Sequence, residues 1–153
     1  MSSSTKSKIY FFFQTPVNLR YRTRLKKFIE SIFKKEKKNL SNLNYIFCTD
    51  KQLLEINRQY LKHDFYTDII TFELSPKNQP IVGEIYISVD RVKDNALSLG
   101  EPQYSELHRV IFHGALHLCG YRDKDKKEIL KMRGMEDEYL QQYFRVPRDT
   151  VSP

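Results

Sequence analysis

Between Phe112 and Asp125 the chain reads FHGALHLCGYRDKD, and no other stretch restricts the possible folds as much. Its apolar residues recur at helical spacing, so Tyr104 to Cys119 is expected to be a helix. His113 and His117 stand four apart, and their side chains leave one face a turn apart. Gly120 supplies the positive φ that ends a helix without strain and turns the chain back. Asp123, three residues further on, is then carried toward the two imidazoles. The resulting pattern, His-x-x-x-His-x-x-Gly-x-x-Asp, presents three ligands to one cation and leaves a fourth position open. Cys119 points to the opposite side of the helix and reads as core.

A bare His-x-x-x-His pair has a second reading, as two polar members of a buried helix. The placed glycine and third ligand favour the metal. The spacing is that of the metzincin site, His-Glu-x-x-His-x-x-Gly-x-x-His, with two substitutions. Gly114 stands where the general-base Glu would be, and Asp123 stands for the third His. A glycine costs a helix about 1 kcal/mol relative to Ala and accepts no proton, so a peptidase of that design is disfavoured. Three protein ligands and an open position still suit catalysis, because water on such an ion ionises near neutral pH.

The remaining pattern predicts an α+β fold: a small mixed sheet of about four strands with about five helices, and a zincin-like metal site on a central helix. Strands are expected over Lys8 to Phe13, Leu43 to Cys48, Asp68 to Leu74 and Ile81 to Val89. The last two flank Ser75-Pro76-Lys77-Asn78-Gln79-Pro80, which is turn chemistry and suggests a hairpin. Arg22 to Lys38 carries Leu25, Phe28, Ile29, Ile32 and Phe33 at helical spacing, with lysines on its other face. Further helices are expected from an Asp50 N-cap through about Tyr60, from Asp90 to Leu99 before Gly100, and from Asp125 to Tyr143. Residues 1–153 read as one domain, with 1–7 a flexible tail.

Function classes narrow on simple grounds. No apolar run reaches the 18 residues of a membrane span. IYFFF, after MSSSTKSK, is too short for a signal peptide and lacks a cleavage site, so a cytoplasmic location is expected. Cys48 and Cys119 match no Cys-only zinc module. A net charge of +7 favours anionic partners, nucleic acid first.

At this point the chain resembles the YbeY family of endoribonucleases. HGALHLCGYRD is similar to the family's His-Gly-x-Leu-His-Leu-x-Gly-Tyr-Asp-His signature. LLEINRQYLKHDFYTDIITFEL resembles its Leu-Asn-x-x-Tyr-Arg segment followed by Asp-x-Pro-Thr-Asp-Val-Leu-Ser-Phe. GEIYISVDRVKDNA resembles its Gly-Asp-Ile-x-Ile-Ser segment, and Met132 and Glu136 fall where the family often has Met and Glu. The likeness covers roughly Leu53 to Leu140. It implies one zinc ion on His113, His117 and Asp123, cleavage of single-stranded RNA, a role in ribosomal RNA maturation, and ribosomal subunit proteins as partners. Two departures bear on the chemistry. Asp123 replaces the family's third His, and Leu61 stands where the family has an Arg thought to engage phosphate; Tyr66 also replaces a Pro. Lys62 or His63, next along the chain, are the candidate substitutes and the candidate catalytic side chains.

His63 and His108 are the remaining imidazoles and titrate in the range a general base needs, although an exposed surface role explains each as well. Thr67 and Asp68 are candidates for ordering the ligands. Three function classes follow: a metal-dependent endoribonuclease, a metzincin-like metallopeptidase, and a non-catalytic RNA-binding ribosome-assembly factor with structural zinc.

Overall fold

A computed structural model describes residues 7–145, so six of the seven residues expected to form a tail lie outside the described residues. Ser7 is described, and its hydroxyl bonds the Ile9 carbonyl and Glu30. Four strands, β1 (Ile9–Phe13), β2 (Leu40–Cys48), β3 (Ile69–Glu73) and β4 (Ile81–Ser88), form one sheet in the order β1-β2-β4-β3. β1, β2 and β4 run parallel, and β3 pairs antiparallel with β4. The sheet is therefore mixed, and the β3–β4 hairpin forms as the turn residues suggest.

Five α-helices surround it: α1 (Arg22–Lys35), α2 (Asp50–Ile56), α3 (Val89–Leu99), α4 (Gln103–Leu118) and α5 (Lys126–Arg145). Side chains alternate across the pleat. Ile9, Leu43, Tyr45, Phe47, Ile85 and Ile87 project to one face and join the large core built with α1, α4 and α5. Cys48, Ile70, Phe72 and Tyr86 project to the other face, where Leu53 and Ile56 of α2 cover them. α4 is buried over most of its length, and its Arg109, His113 and His117 share the one side that stays partly open. The Tyr45 hydroxyl, itself buried, donates to the Ile111 carbonyl at 2.9 Å and locks α4 onto the sheet.

Three local departures have physical causes. β2 begins at Leu40 rather than Leu43: Asn39 to Asn42 resembles a turn, but Leu40 is buried and a register shift between Leu40 and Asn42 absorbs the polar residues. The N-cap of α2 is Thr49, not Asp50. Its side chain accepts from the Gln52 amide while Gln52 reaches back, a capping box whose Thr-x-x-Gln signature stood in the sequence. That helix then widens into a π-helical turn, Asn57–Leu61, before Lys62 adopts a left-handed conformation (φ 57°) and ends it.

Candidate metal centre

α4 ends by a bend that its sequence dictates. Gly120 takes φ 106°. Its N–H donates to the His117 carbonyl and that of Tyr121 to the Leu116 carbonyl, each at 3.0 Å. This is the Schellman arrangement, in which glycine at the position after the cap lets the last helical carbonyls find partners. The chain leaving it returns Asp123 to the helix face it came from. Asp123 Oδ2 lies 3.3 Å from His113 Nε2 and 3.3 Å from His117 Nε2. One ligand atom from each of the three lies within 4.8 Å of the others.

Those distances test whether a cation fits. An ion in tetrahedral geometry at about 2.0–2.2 Å from N and O donors places the donors about 3.3–3.6 Å apart. Both His–Asp separations meet that expectation. Each ring turns its Nε2 toward Asp123, and the two ring centroids stand 4.6 Å apart with the planes nearly perpendicular.

The tautomer of His113 is fixed from behind. Its Nδ1 lies 2.5 Å from Oε2 of Glu136, a buried carboxylate on α5. Donating Nδ1–H to a carboxylate leaves Nε2 as the lone-pair donor, as in the carboxylate–histidine–metal arrangement. Glu136 is in turn held by Arg109, whose guanidinium spans it at 2.8 Å and Asp137 at 2.6 Å. Burial works to lower the His113 pKa, but the Glu136 hydrogen bond and the charges of Glu136, Asp123 and Asp68 outweigh it, and the imidazole pKa is raised. Burial pushes the Asp68 carboxyl up against the opposing pull of His113. A cation occupying the three-ligand site would stand in for the proton that those carboxylates favour.

Glu136 is the residue that the sequence reading did not assign to the centre. A signal existed: on α5 the buried positions are Met132, Glu136, Tyr139 and Tyr143, so one acid sits inside an otherwise uncharged buried stripe. Burial of a charge demands partners, and such a placement points to a functional one.

The three donors open into a cleft of about 770 Å³ between α4, α5, β3 and the loop after α2. His63, Phe65, Asp68, Thr71, Arg109, Arg133 and Glu136 line it together with His113, His117 and Asp123. His63 therefore shares the cleft with the donors and is exposed, whereas Lys62 is not among the lining residues. Thr67 and Asp68 both line it; Asp68 accepts from the Asn95 side chain at 3.3 Å. Leu61 contributes an apolar patch. Cys119 is buried away from the donors in the main core. His108 is not a surface residue. It is wholly buried among Tyr104, Phe112, Tyr143 and Phe144, with Nδ1 2.8 Å from the Tyr104 carbonyl. A polar residue at a core position of α4 is easily mistaken for an exposed one, because neighbouring aromatic rings shield it rather than aliphatic contacts.

Gly114 explains the missing glutamate of the metzincin pattern. A Cβ built there would stand 2.7 Å from Ile85 Cδ1 and 3.1 Å from Ile69 Cδ1. That position faces the sheet, and a glutamate would be driven into the β3–β4 surface.

The family model described as Endoribonuclease YbeY matches residues 13–144. An endoribonuclease YbeY of Cytophaga hutchinsonii is 50% identical over 137 residues, covering 88% of this chain and 96% of that protein. One of Flavobacterium psychrophilum is 45% identical, covering 86% of this chain and 94% of its own length. A solution structure from Thermotoga maritima superposes with a TM-score of 0.65 at 29% identity, over 94% of this chain and 96% of the other.

Proposed function

The chain belongs to the YbeY endoribonuclease family, and from that premise we propose that it is a zinc-dependent endoribonuclease cutting single-stranded RNA in ribosomal RNA maturation. The observation that carries the reading is the spacing of three donors. Asp123 Oδ2 lies at a tetrahedral separation from His113 Nε2 and from His117 Nε2, and the three face an open cleft with no fourth His, Cys, Asp or Glu grouped with them among the described residues. Structural zinc sites close with four ligands rich in Cys. Cys119, the nearest thiol in sequence, is buried in the main core.

His113, His117 and Asp123 would hold the zinc, which when bound would supply Lewis acidity toward a phosphate oxygen or a water. The protein's own groups do the rest. Glu136 orients His113 through Nδ1, and Arg109 holds Glu136 in place through a hydrogen bond of 2.8 Å. Arg133 lines the cleft with a half-exposed guanidinium, 4.0 Å from Glu136, and is the cation suited to hold a substrate phosphate where the family's Arg is replaced by Leu61. His63 is assigned to the substrate from the same cleft, with Lys62 beside it in the chain. The substrate is a ribosomal RNA precursor met in the cytoplasm, with ribosomal subunit proteins as accompanying partners. No helix among the described residues is long and apolar enough to cross a membrane.

Incubation of metal-loaded protein with single-stranded RNA and, separately, with an unfolded polypeptide tests this reading. RNA should be cut by the wild type and left intact by His117→Ala. Polypeptide cleavage lost in the same variant would establish the peptidase class instead. RNA bound but not cut, with zinc retained, would establish a non-catalytic assembly factor.

A further inference from the structure

We propose that the stacked rings of His63 and Phe65, at the rim of the cleft, form a nucleobase-binding subsite that selects unpaired nucleotides; this rests on the RNA reading above. The ring centroids stand 5.0 Å apart with the planes inclined by 21°. Both residues line the cleft that holds the three metal donors. Phe65 is 55% exposed, so its ring contributes little to the core.

The loop that carries the pair is anchored at three points. The His63 N–H donates to the Asn57 carbonyl at 3.1 Å. The Asn57 side-chain amide, buried with its residue, donates to the Phe65 carbonyl at 2.8 Å. Arg58 Nε meets Asp64 Oδ1 at 2.5 Å. Asn57 opens the π-helical turn, and Lys62 closes it with its left-handed backbone. The wider turn and its reversal thus present the two rings to solvent beside the cleft, held against the hydrophobic tendency to collapse inward. A preorganised surface loses little entropy when a ligand adds to it.

The chemistry that fits a flat, anchored, exposed ring pair next to a phosphate-handling centre is a nucleobase. Every base has a π face, so such a subsite tolerates sequence. It still discriminates by strandedness, because a base within a duplex is already stacked on both sides and its face is not available. The positive net charge of +7 suits the same polyanion. His63 acts in this arrangement through its ring face, as a positioning residue for the strand.

A short single-stranded RNA carrying one 2-aminopurine, moved along the strand position by position, reads stacking directly. The full zinc-loaded chain is used, on a strand with 2′-O-methyl and phosphorothioate linkages so that it stays intact. Wild-type protein should quench the fluorophore at one position, and Phe65→Ala and His63→Ala should relieve the quench. Affinity should fall about 5- to 150-fold in each, the range of one aromatic–base stack. Phe65→Trp should restore binding, and an abasic nucleotide at the quenched position should erase the difference between wild type and Phe65→Ala. Zinc content and circular dichroism of the variants should match the wild type, which separates loss of stacking from loss of fold. Wild-type affinity in correctly folded Phe65→Ala and His63→Ala would overturn the subsite alone, as would equal affinity for duplex RNA. A wild type that binds no single-stranded RNA would overturn the RNA reading, and the subsite with it.

Discussion

Glu136 lies 23 residues beyond His113 in the chain and 2.5 Å from its Nδ1. The contact decides which imidazole nitrogen faces Asp123. Outer partners of this kind typically contribute 10- to 100-fold to metal affinity. Glu136→Gln keeps the shape but loses the charge, and should weaken zinc binding by about that factor in a chelator competition. Asp137→Asn removes the other carboxylate on Arg109, touches no donor, and should leave zinc affinity near wild type. Equal affinities in all three proteins would remove Glu136 from the centre.

Gly114 makes a second, sterically defined prediction. Replacing a mid-helix Gly by Ala ordinarily stabilises by about 1 kcal/mol. At Gly114 the new methyl would stand 3.0 Å from Ile85 Cγ2 as well as 2.7 Å from its Cδ1, so rotation of the flexible end alone does not relieve it. Overpacking of that kind costs about 1–3 kcal/mol. Set against the propensity gain, Gly114→Ala should destabilise by up to about 2 kcal/mol in urea unfolding. Gly134→Ala on α5, where a Cβ meets nothing within 4 Å, should stabilise by about 1 kcal/mol. Stabilisation at both positions would mean that α4 does not lie as close to the sheet as described.

These two residues also show what a sequence discloses. The meeting of His113, His117 and Asp123 was legible because helix periodicity and a C-terminal glycine are local rules, and three residues obeying them arrive at one point. The loss of a general base at Gly114 was equally plain, but its cause was not: Ile85 and Ile69 come from strands distant in sequence. Tyr121 and Tyr139, which both donate to Glu36, illustrate the same limit. The capping box at Thr49 was local and readable. The π-helical turn was not, since no residue-spacing rule separates Asn57–Leu61 from ordinary helix, and the anchored loop with its ring pair follows from that turn.

Arg133 and Arg109 line the same cleft and should behave differently. Arg109 is engaged by two carboxylates, so its charge is spent within the protein. Arg133 is half-exposed, and its nearest acid is 4.0 Å away. Arg133→Gln should weaken binding of single-stranded RNA similarly for all sequences. It should also make the slope of log affinity against log salt shallower by about 0.7, the loss of one phosphate contact on a single strand. Arg109→Gln should instead lower stability and zinc affinity, because it takes from the buried Glu136 its closest cation and loosens the carboxylate that orients His113. An unchanged salt slope in Arg133→Gln would assign the phosphate contact elsewhere.

His108 should govern part of the acid sensitivity. Burial lowers its pKa to about 4, against an ordinary value of 6.5. Its Nε2 lone pair is buried without a hydrogen-bond partner, in a cage of aromatic rings near Arg24 and Arg20. Below pH 6.5 the unfolded chain takes up a proton there while the folded chain does not, so the unfolded state binds more protons and stability falls with falling pH. The loss begins near pH 6.5 and is complete once the pH passes below about 4, and its full extent is on the order of 3 kcal/mol. His108→Phe fits the ring cage and has no proton to gain. Asp68 and Glu106, whose carboxyl pKa values burial raises, titrate in both proteins and cancel from the difference. The urea midpoint of wild type should therefore drop more steeply than that of His108→Phe between pH 6.5 and 4. Parallel curves would show that the imidazole reaches water, or a partner, when it is protonated in the folded chain.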